Sequence, residues 1–409
     1  MRQKMVWFIL GVLIGSLFLV AAYPQGSSPK KYTPPFQKID NSIPVYYIGN
    51  ETPKYFVRAV RVTEFKKINK PHILVIEGLK VKDTPQFRRF LKEEVLSDTP
   101  VIVNGNTDLI KGIFKGQLNA RIVGGRNPDG TTPKEQVYGY IAYRLPDGTL
   151  RSKVFISIDS SPEAMKDAYY WVAKNFQPEA TSPSIESLSP GYPGSEDSTP
   201  YWSQIGQLDI STGDNWKPYG RLNLRTLYYQ LVNDGSLDYN WFDIHVRQQS
   251  VPGKELGWSD WRTADMFTWI DADYYEADGF LSDYSPTTTS GSKTSTVTIG
   301  VSAGDKGAQV SASQSWSYTI SDVVIKDQSD FSQELAKWWH DIAEDKAVGE
   351  NTYMVEPGAT LRFPESESRE WREHYGVRYE HPPEWWEPGW YWHSFEGWVE
   401  FYIGFILTG

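Results

Sequence analysis

Gly300-Val301-Ser302-Ala303-Gly304 carries the G-x-S-x-G spacing in which a serine hydroxyl can be raised for acyl transfer. That chemistry needs a strand, a sharp turn at the serine and then a helix, so that backbone N–H groups converge on the oxyanion. Here Ser302 falls within alternating strand-like sequence and more of the same follows, so the match predicts no nucleophile. His374, His381 and His393 lie near Glu373, Glu380 and Glu384, but at separations that fit neither a helical nor a hairpin metal site. The acidic run Glu365, Glu367, Glu370 reads as a solvated loop; glycoside hydrolysis would need two carboxylates across a cleft. The chain has no cysteine, which removes thiol nucleophiles and thiolate-bound zinc. Gly124-Gly125 follows a strand without the other glycines of a dinucleotide loop. The expectation is a non-enzymatic protein with no cofactor and no metal.

A second group of residues suits contact instead of catalysis. Trp371, Trp385, Trp386, Trp390, Trp392 and Trp398 are six of 17 tryptophans, interleaved with Tyr391, Phe395 and Pro382-Pro383. Buried, they form core. Exposed, Trp385, Trp386, Trp390 and Trp392 suit a lipid headgroup layer or the face of a sugar ring. The expected partners are therefore membrane lipid or a surface glycan. Formal net charge is −10 and no basic stripe occurs, so nucleic acid is not expected as a partner.

The most regular stretch runs from Thr294 to Ile320. On its first half Val297, Ile299, Val301 and Ala303 take one face, and Thr294, Thr296, Thr298 and Ser302 the other. On its second half Ala308, Val310, Ala312, Trp316, Tyr318 and Ile320 oppose Gln309, Ser311, Ser313, Ser315, Ser317 and Thr319. Apolar positions are odd on the first strand and even on the second. Both sets share a face only if the connecting loop has an even length, which predicts a tight turn at Gly304–Gly307 pairing Val301 with Val310 and Ile299 with Ala312. Lys and Glu, the usual coat of a solvent-facing sheet, are missing from both strands. Residues 294–304 would span roughly 36 Å at about 3.3 Å per residue. Two readings follow from the pattern: a long hairpin of a secreted β-sandwich, or a wall of a transmembrane barrel with hydroxyls toward water.

Residues 286–332, from Pro286-Thr287-Thr288-Thr289-Ser290-Gly291-Ser292 through the hairpin to Ser321-Asp322-Val323 and Ser329-Asp330-Phe331, resemble the stem region of the leukocidin/haemolysin-type β-barrel pore-forming toxins. The resemblance implies a β-sandwich from which the hairpin unlatches, self-association, and a shared barrel in a membrane. It would place Val297, Ile299, Val301, Ala303, Val310, Ala312, Trp316 and Tyr318 against lipid. Thr296, Thr298, Ser302, Ser311, Ser313 and Ser315 would line the lumen. The sequence then departs from that pattern: Phe331, Leu335, Trp338 and Ile342 follow at a helical spacing.

The surrounding elements must carry this hairpin. Arg2, Lys4 and the apolar run Val6–Val20, with Val20 and Ala22 as small residues, make residues 1–22 a cleaved signal or a membrane anchor; the remainder is expected outside the cytoplasm. Residues 23–48 read as a spacer, followed by one sequon, Asn50-Glu51-Thr52. Residues 49–178 alternate strand and helix signals: strands at Phe56–Val62, Ile73–Ile76 and Val101–Val103, and helices opened by Thr84-Pro85 and by Ser161-Pro162-Glu163. A short helix is expected at Asn106–Phe114, and a hairpin around Pro146-Asp147-Gly148. Five Pro and six Ser make residues 178–200 a linker. Residues 201–409 are strand-rich, with a turn at Asn233-Asp234-Gly235 and a closing strand from Trp398 to Leu407. The predicted fold is α+β and multidomain: a small N-terminal α/β domain (49–178), then an antiparallel β-sandwich-like domain (201–409) bearing the hairpin.

Overall fold

Thr84 shows how local sequence fixes an element. Its hydroxyl accepts the Phe87 N–H at 3.2 Å and Pro85 occupies the first helical position, opening helix α1 (Pro85–Leu96). The computed structural model describes residues 39, 41–49, 55–68, 70–111, 118–144, 150–176, 201–232, 238–275, 278–287, 294–304, 308, 310–319, 323–342, 349–365 and 369–405. Residues 1–22, most of the 23–48 spacer, the sequon, the 179–200 linker and the turns at 146–148 and 233–235 lie outside them.

Before and after α1 the chain forms β1 (Val45–Ile48), β2 (Ala59–Arg61), β3 (Ile73–Glu77) and β4 (Val101–Asn104). A single helical turn, α2 (Asp108–Lys111), precedes β5 (Leu118–Arg126), β6 (Val137–Arg144), β7 (Leu150–Ser157) and helix α3 (Pro162–Asn175). Met165, Ala168 and Val172 are buried on α3, as their spacing predicts. The later part is almost entirely strand: β8 (Trp202–Ser211), β9 (Gly220–Leu231), β10 (Tyr239–Pro252), β11 (Arg262–Asp271), β12 (Phe280–Ser285), β13 (Thr294–Val301) and β14 (Ala312–Thr319). It ends with β15 (Val324–Asp327), β16 (Leu335–Asp341), β17 (Tyr353–Val355), β18 (Gly358–Pro364), β19 (Arg369–His381) and β20 (His393–Phe405). The protein is mostly β, with few helices.

These strands make three sheets. A twelve-stranded sheet runs β12-β18-β10-β9-β8-β7-β6-β4-β3-β1-β2, with β17 also on β10. A six-stranded sheet runs β15-β16-β11-β19-β20-β5, and β13-β14 stand alone as a pair. Strands from 49–178 and from 201–409 thus share both large sheets: β7 pairs in parallel with β8, and β5 extends β20. Alternation gives the large sheet two faces. Its inner face packs on α1 through Phe87, Phe90 and Leu91, and farther along on the six-stranded sheet. There Glu373 is fully buried and accepts from Trp371 Nε1 (2.8 Å), Tyr375 Oη (2.7 Å) and Tyr228 Oη (2.9 Å). Burial pushes its carboxyl up to about 7. The outer face carries α3, anchored by Trp171 Nε1 to Asp209 Oδ2 at 2.8 Å, and the β13–β14 hairpin.

Three local expectations are corrected. Phe331, Leu335, Trp338 and Ile342 do not form a helix: a 3-10 turn at Phe331–Gln333 leads into β16. Ala336, Trp338 and His340 alternate as its buried side, and pairing with β11 and β15 overrides the coincidental helical spacing. Only Ala59–Arg61 of the 56–62 segment is strand; Phe56 makes a lone bridge to Ile39. Gly124-Gly125 lie inside β5, not after a strand. Among the described residues no helix is long and apolar enough to cross a membrane.

Candidate functional site

The hairpin's strand ladder is its own. β13 and β14 pair only with each other, from Thr294↔Thr319 to Val301↔Ala312. The ladder departs from the tight turn expected from sequence: Val301 faces Ala312, two residues beyond Val310. The tip closes locally instead, with Ala303 N–H on Ser311 Oγ (2.8 Å) and Gly304 N–H on Ala308 O (2.7 Å). A two-residue offset preserves parity, so both apolar sets stay on one side. Gln309 and Ile320 lie outside the described residues.

That side faces the large sheet. Val297 and Ile299 are fully buried, and Val301, Ala312, Trp316 and Tyr318 nearly so. Val301, Ala308 and Ala312 pack with Trp202, Leu227, Tyr229, Leu231 and Trp241, with Val310 half-buried at the edge. Ala303, expected on this face, lies past the end of β13 and is exposed. Thr296, Thr298, Ser302, Ser311, Ser313 and Ser315 face solvent. Two hydroxyl pairs bridge the strands, Thr298–Ser315 at 2.8 Å and Thr296–Ser317 at 3.1 Å. Burying each large apolar side chain contributes roughly 1.5–3 kcal/mol, so this face holds the hairpin down more than any polar contact does.

Polar contacts set its position. Trp316 stacks on His245 with ring centroids 3.8 Å apart, and its indole N–H donates to Glu356 O at 2.9 Å. The Glu356 carboxylate meets His245 Nε2 (3.0 Å) and Arg247 Nε (3.3 Å). Gly300 N–H donates to Asp283 Oδ2 at 3.0 Å. Gly358 leaves room for the indole: a β-carbon there would lie 2.5 Å from Trp316 Cη2. Between Trp241 and His245, on the same face of β10, Asp243 is fully buried and accepts from Thr360 Oγ1 at 2.5 Å. Burial, and then the charge of Asp283, hold its carboxyl well above the usual range. The sequence reading missed these body-side residues. His245 and Asp243 alternate with apolar neighbours on β10, which places them on one face, but nothing in sequence marks Gly358 as the seat of an indole.

The tryptophan cluster divides. Trp371 is fully buried and Trp398 half-buried, whereas Trp385 (89% exposed), Trp386 (64%), Trp390 (79%) and Trp392 (46%) stand out on the loop joining β19 to β20. His381 and His393 pair at the base of this loop, with His393 Nε2 2.9 Å from Glu387. His374 instead lies between Trp269 and Trp398. Among the described residues no group of three or more potential ligands could hold a metal ion. Ser302 follows β13, and the next described element is β14, so the strand-turn-helix geometry of a nucleophile elbow is not formed.

Neither a family model nor a curated protein sequence matches this chain. Among solved structures, Clostridium perfringens delta-toxin is similar, at 12% identity and a TM-score of 0.33, over 50% of this chain and 93% of that one. So is a structure described as a pore forming protein (11%, 0.28, 49% and 90%). The third likeness is to the Clostridium perfringens NetB toxin in the membrane inserted form (10%, 0.23, 49% and 94%). At such values the site has to be read from this chain's own geometry.

Two variants test that geometry. Gly358→Val drives a side chain into the Trp316 ring and overpacks the seat by about 1–3 kcal/mol. Amide exchange within 294–301 should accelerate roughly 5- to 100-fold while that of β8–β10 changes little; unchanged hairpin exchange refutes the seating. Burial raises the Asp243 carboxyl above its unfolded value, so its contribution to stability is lost as pH rises from about 4 toward the raised folded value. Asp243→Asn should therefore melt higher than wild type at pH 7, with the advantage closing toward pH 4. A constant difference across that range contradicts the assignment.

Proposed function

We propose that this is an exported, non-enzymatic protein that self-associates on a membrane and inserts residues 294–320 as part of a shared β-barrel. One observation carries the reading: an amphipathic ribbon whose ladder is internal to it rests on a sheet without being hydrogen-bonded into that sheet's ladder. It can leave by exchanging apolar burial on protein for apolar burial in lipid, and barrel closure then pairs its outer edges with neighbouring copies.

Length decides what must happen on insertion. The eight residues of β13 span about 26 Å. Tilted by about 40° they reach roughly 20 Å, short of the ~25 Å apolar band of a barrel. Continuing the observed register pairs Ser302 with Ser311 and Ala303 with Val310, giving ten-residue strands and a height of about 25 Å, enough for that band. In that state Val297, Ile299, Val301, Ala303, Val310, Ala312, Trp316 and Tyr318 face lipid. Thr296, Thr298, Ser302, Ser311, Ser313 and Ser315 face the lumen. Trp385, Trp386, Trp390 and Trp392 supply the first contact with the headgroup layer.

The exposed tryptophan loop also favours a second reading, a cell-surface glycan-binding or adhesion protein with a fixed hairpin. Dye leakage from liposomes separates the two. The mature protein, intact or cut within 178–200, should release dye and form ring-shaped oligomers. Trp390→Ala with Trp392→Ala should weaken liposome binding at least about tenfold, since each exposed aromatic anchor contributes on the order of 1 kcal/mol. No leakage and no rings under either condition overturns the pore reading; loss of glycan binding alone in the double variant supports the second.

A further inference from the structure

Next to the hairpin, the outer face of the large sheet opens into a cleft of about 320 Å³ between that sheet and α3. Its floor is not the surface of an ordinary solvated sheet. Arg221, Asn223 and Arg225 point the same way along β9, and Arg247 and Gln249 lie directly across from Arg225 and Asn223 on β10. Like charges placed opposite each other destabilise a sheet, so the Arg225–Arg247 pair needs compensation. Each has an anion: Arg225 Nε donates to Asp209 Oδ1 at 2.7 Å, and Arg247 Nε to Glu356. Arg221 pairs with Asp214 through Nη2, while its buried Nε has no hydrogen-bond partner.

We propose that this cleft binds the carboxylate or phosphate group of a small molecule, with Arg221 supplying the donor and Arg225 and Arg247 adding positive charge beside it. A guanidinium presents five N–H groups in a planar fork that matches an oxyanion bidentately. A buried donor without an acceptor costs about 1–3 kcal/mol, which an incoming oxyanion at Arg221 removes. Asn223 Nδ2 donates to Gln249 Oε1 at 3.0 Å and its Oδ1 accepts from Ser211 Oγ at 3.1 Å, so the Gln249 amide nitrogen is the group of this pair that a ligand hydroxyl would meet. Asp167 borders the cleft; burial pushes its carboxyl up to about 6, against the pull of Arg221, so it opposes an anion less than a fully charged carboxylate would. The site stands whether or not the hairpin inserts.

Isothermal titration of the purified full chain tests it, with inorganic phosphate and D-glucuronate as probes and glucose as the neutral control, at matched ionic strength. Phosphate, glucuronate or both should give saturable binding, and glucose none. Phosphate alone assigns a phosphate source, and glucuronate alone a carboxylate source. Arg221→Gln should weaken binding at least tenfold with an unchanged melting midpoint. Arg221→Lys keeps the charge beside Asp214 but loses the fork, and should weaken binding as well. No saturable binding by either anion, or equal binding by wild type and both variants, overturns the proposal.

Discussion

Burial of its apolar face on the outer face of the twelve-stranded sheet is what holds the β13–β14 hairpin in place. Elsewhere the strands are tied by continuous ladders; β19 and β20 pair from Arg369↔Phe405 to His381↔His393, and β9 and β10 from Gln230↔Phe242 to Gly220↔Pro252. Removing any of those strands would strip backbone groups of their partners. The hairpin differs: its ladder is internal, and apolar contact holds it with a few side-chain hydrogen bonds. Apolar contact is non-directional, so another apolar surface can replace it at little cost. A lipid core is such a surface.

What lies beneath the hairpin favours this reversibility. The floor is not a uniform greasy patch: Asp243, Thr360, His245 and Asp283 lie among Leu227, Tyr229 and Trp241. Burial favours the uncharged form of Asp243 there. Exposure to water would let it ionise, so departure of the hairpin and loss of that proton favour each other at neutral pH. The same outer face continues past Arg247 into the arginine-lined cleft, so one surface carries the hairpin at one side and an open cleft at the other.

How much of this was legible in the sequence depends on the length scale of each determinant. Alternation from Val297 to Val301 and from Ala312 to Tyr318 assigned both faces correctly, because a strand's period of two is local. The pairing register was not local: it depends on how residues 302–311 fold back, and Ser311 and Ala308 settle that through contacts at the tip. The Phe331–Ile342 spacing misled because four positions fit a helical period while the stronger signal, alternate burial of Ala336, Trp338 and His340, needed the neighbouring strands to show it. Composition marked residues 178–200 as a break in the chain, yet the large sheet crosses from β7 to β8 on either side of it. Parallel pairing over so long a separation leaves no pattern in sequence. Gly358 and Glu356 were invisible for the same reason, since their role is defined by Trp316, some forty residues away in sequence.

The absence of cysteine makes the central claim directly measurable, because a single introduced thiol can carry a fluorophore with no competing site. Labels placed one at a time from position 296 to 302 would be read on liposomes containing a lipid-borne quencher. Insertion should quench labels at Val297, Ile299 and Val301 and leave those at Thr296, Thr298 and Ser302 bright. Uniform quenching, or none at any position on membranes that the protein has bound, would contradict it.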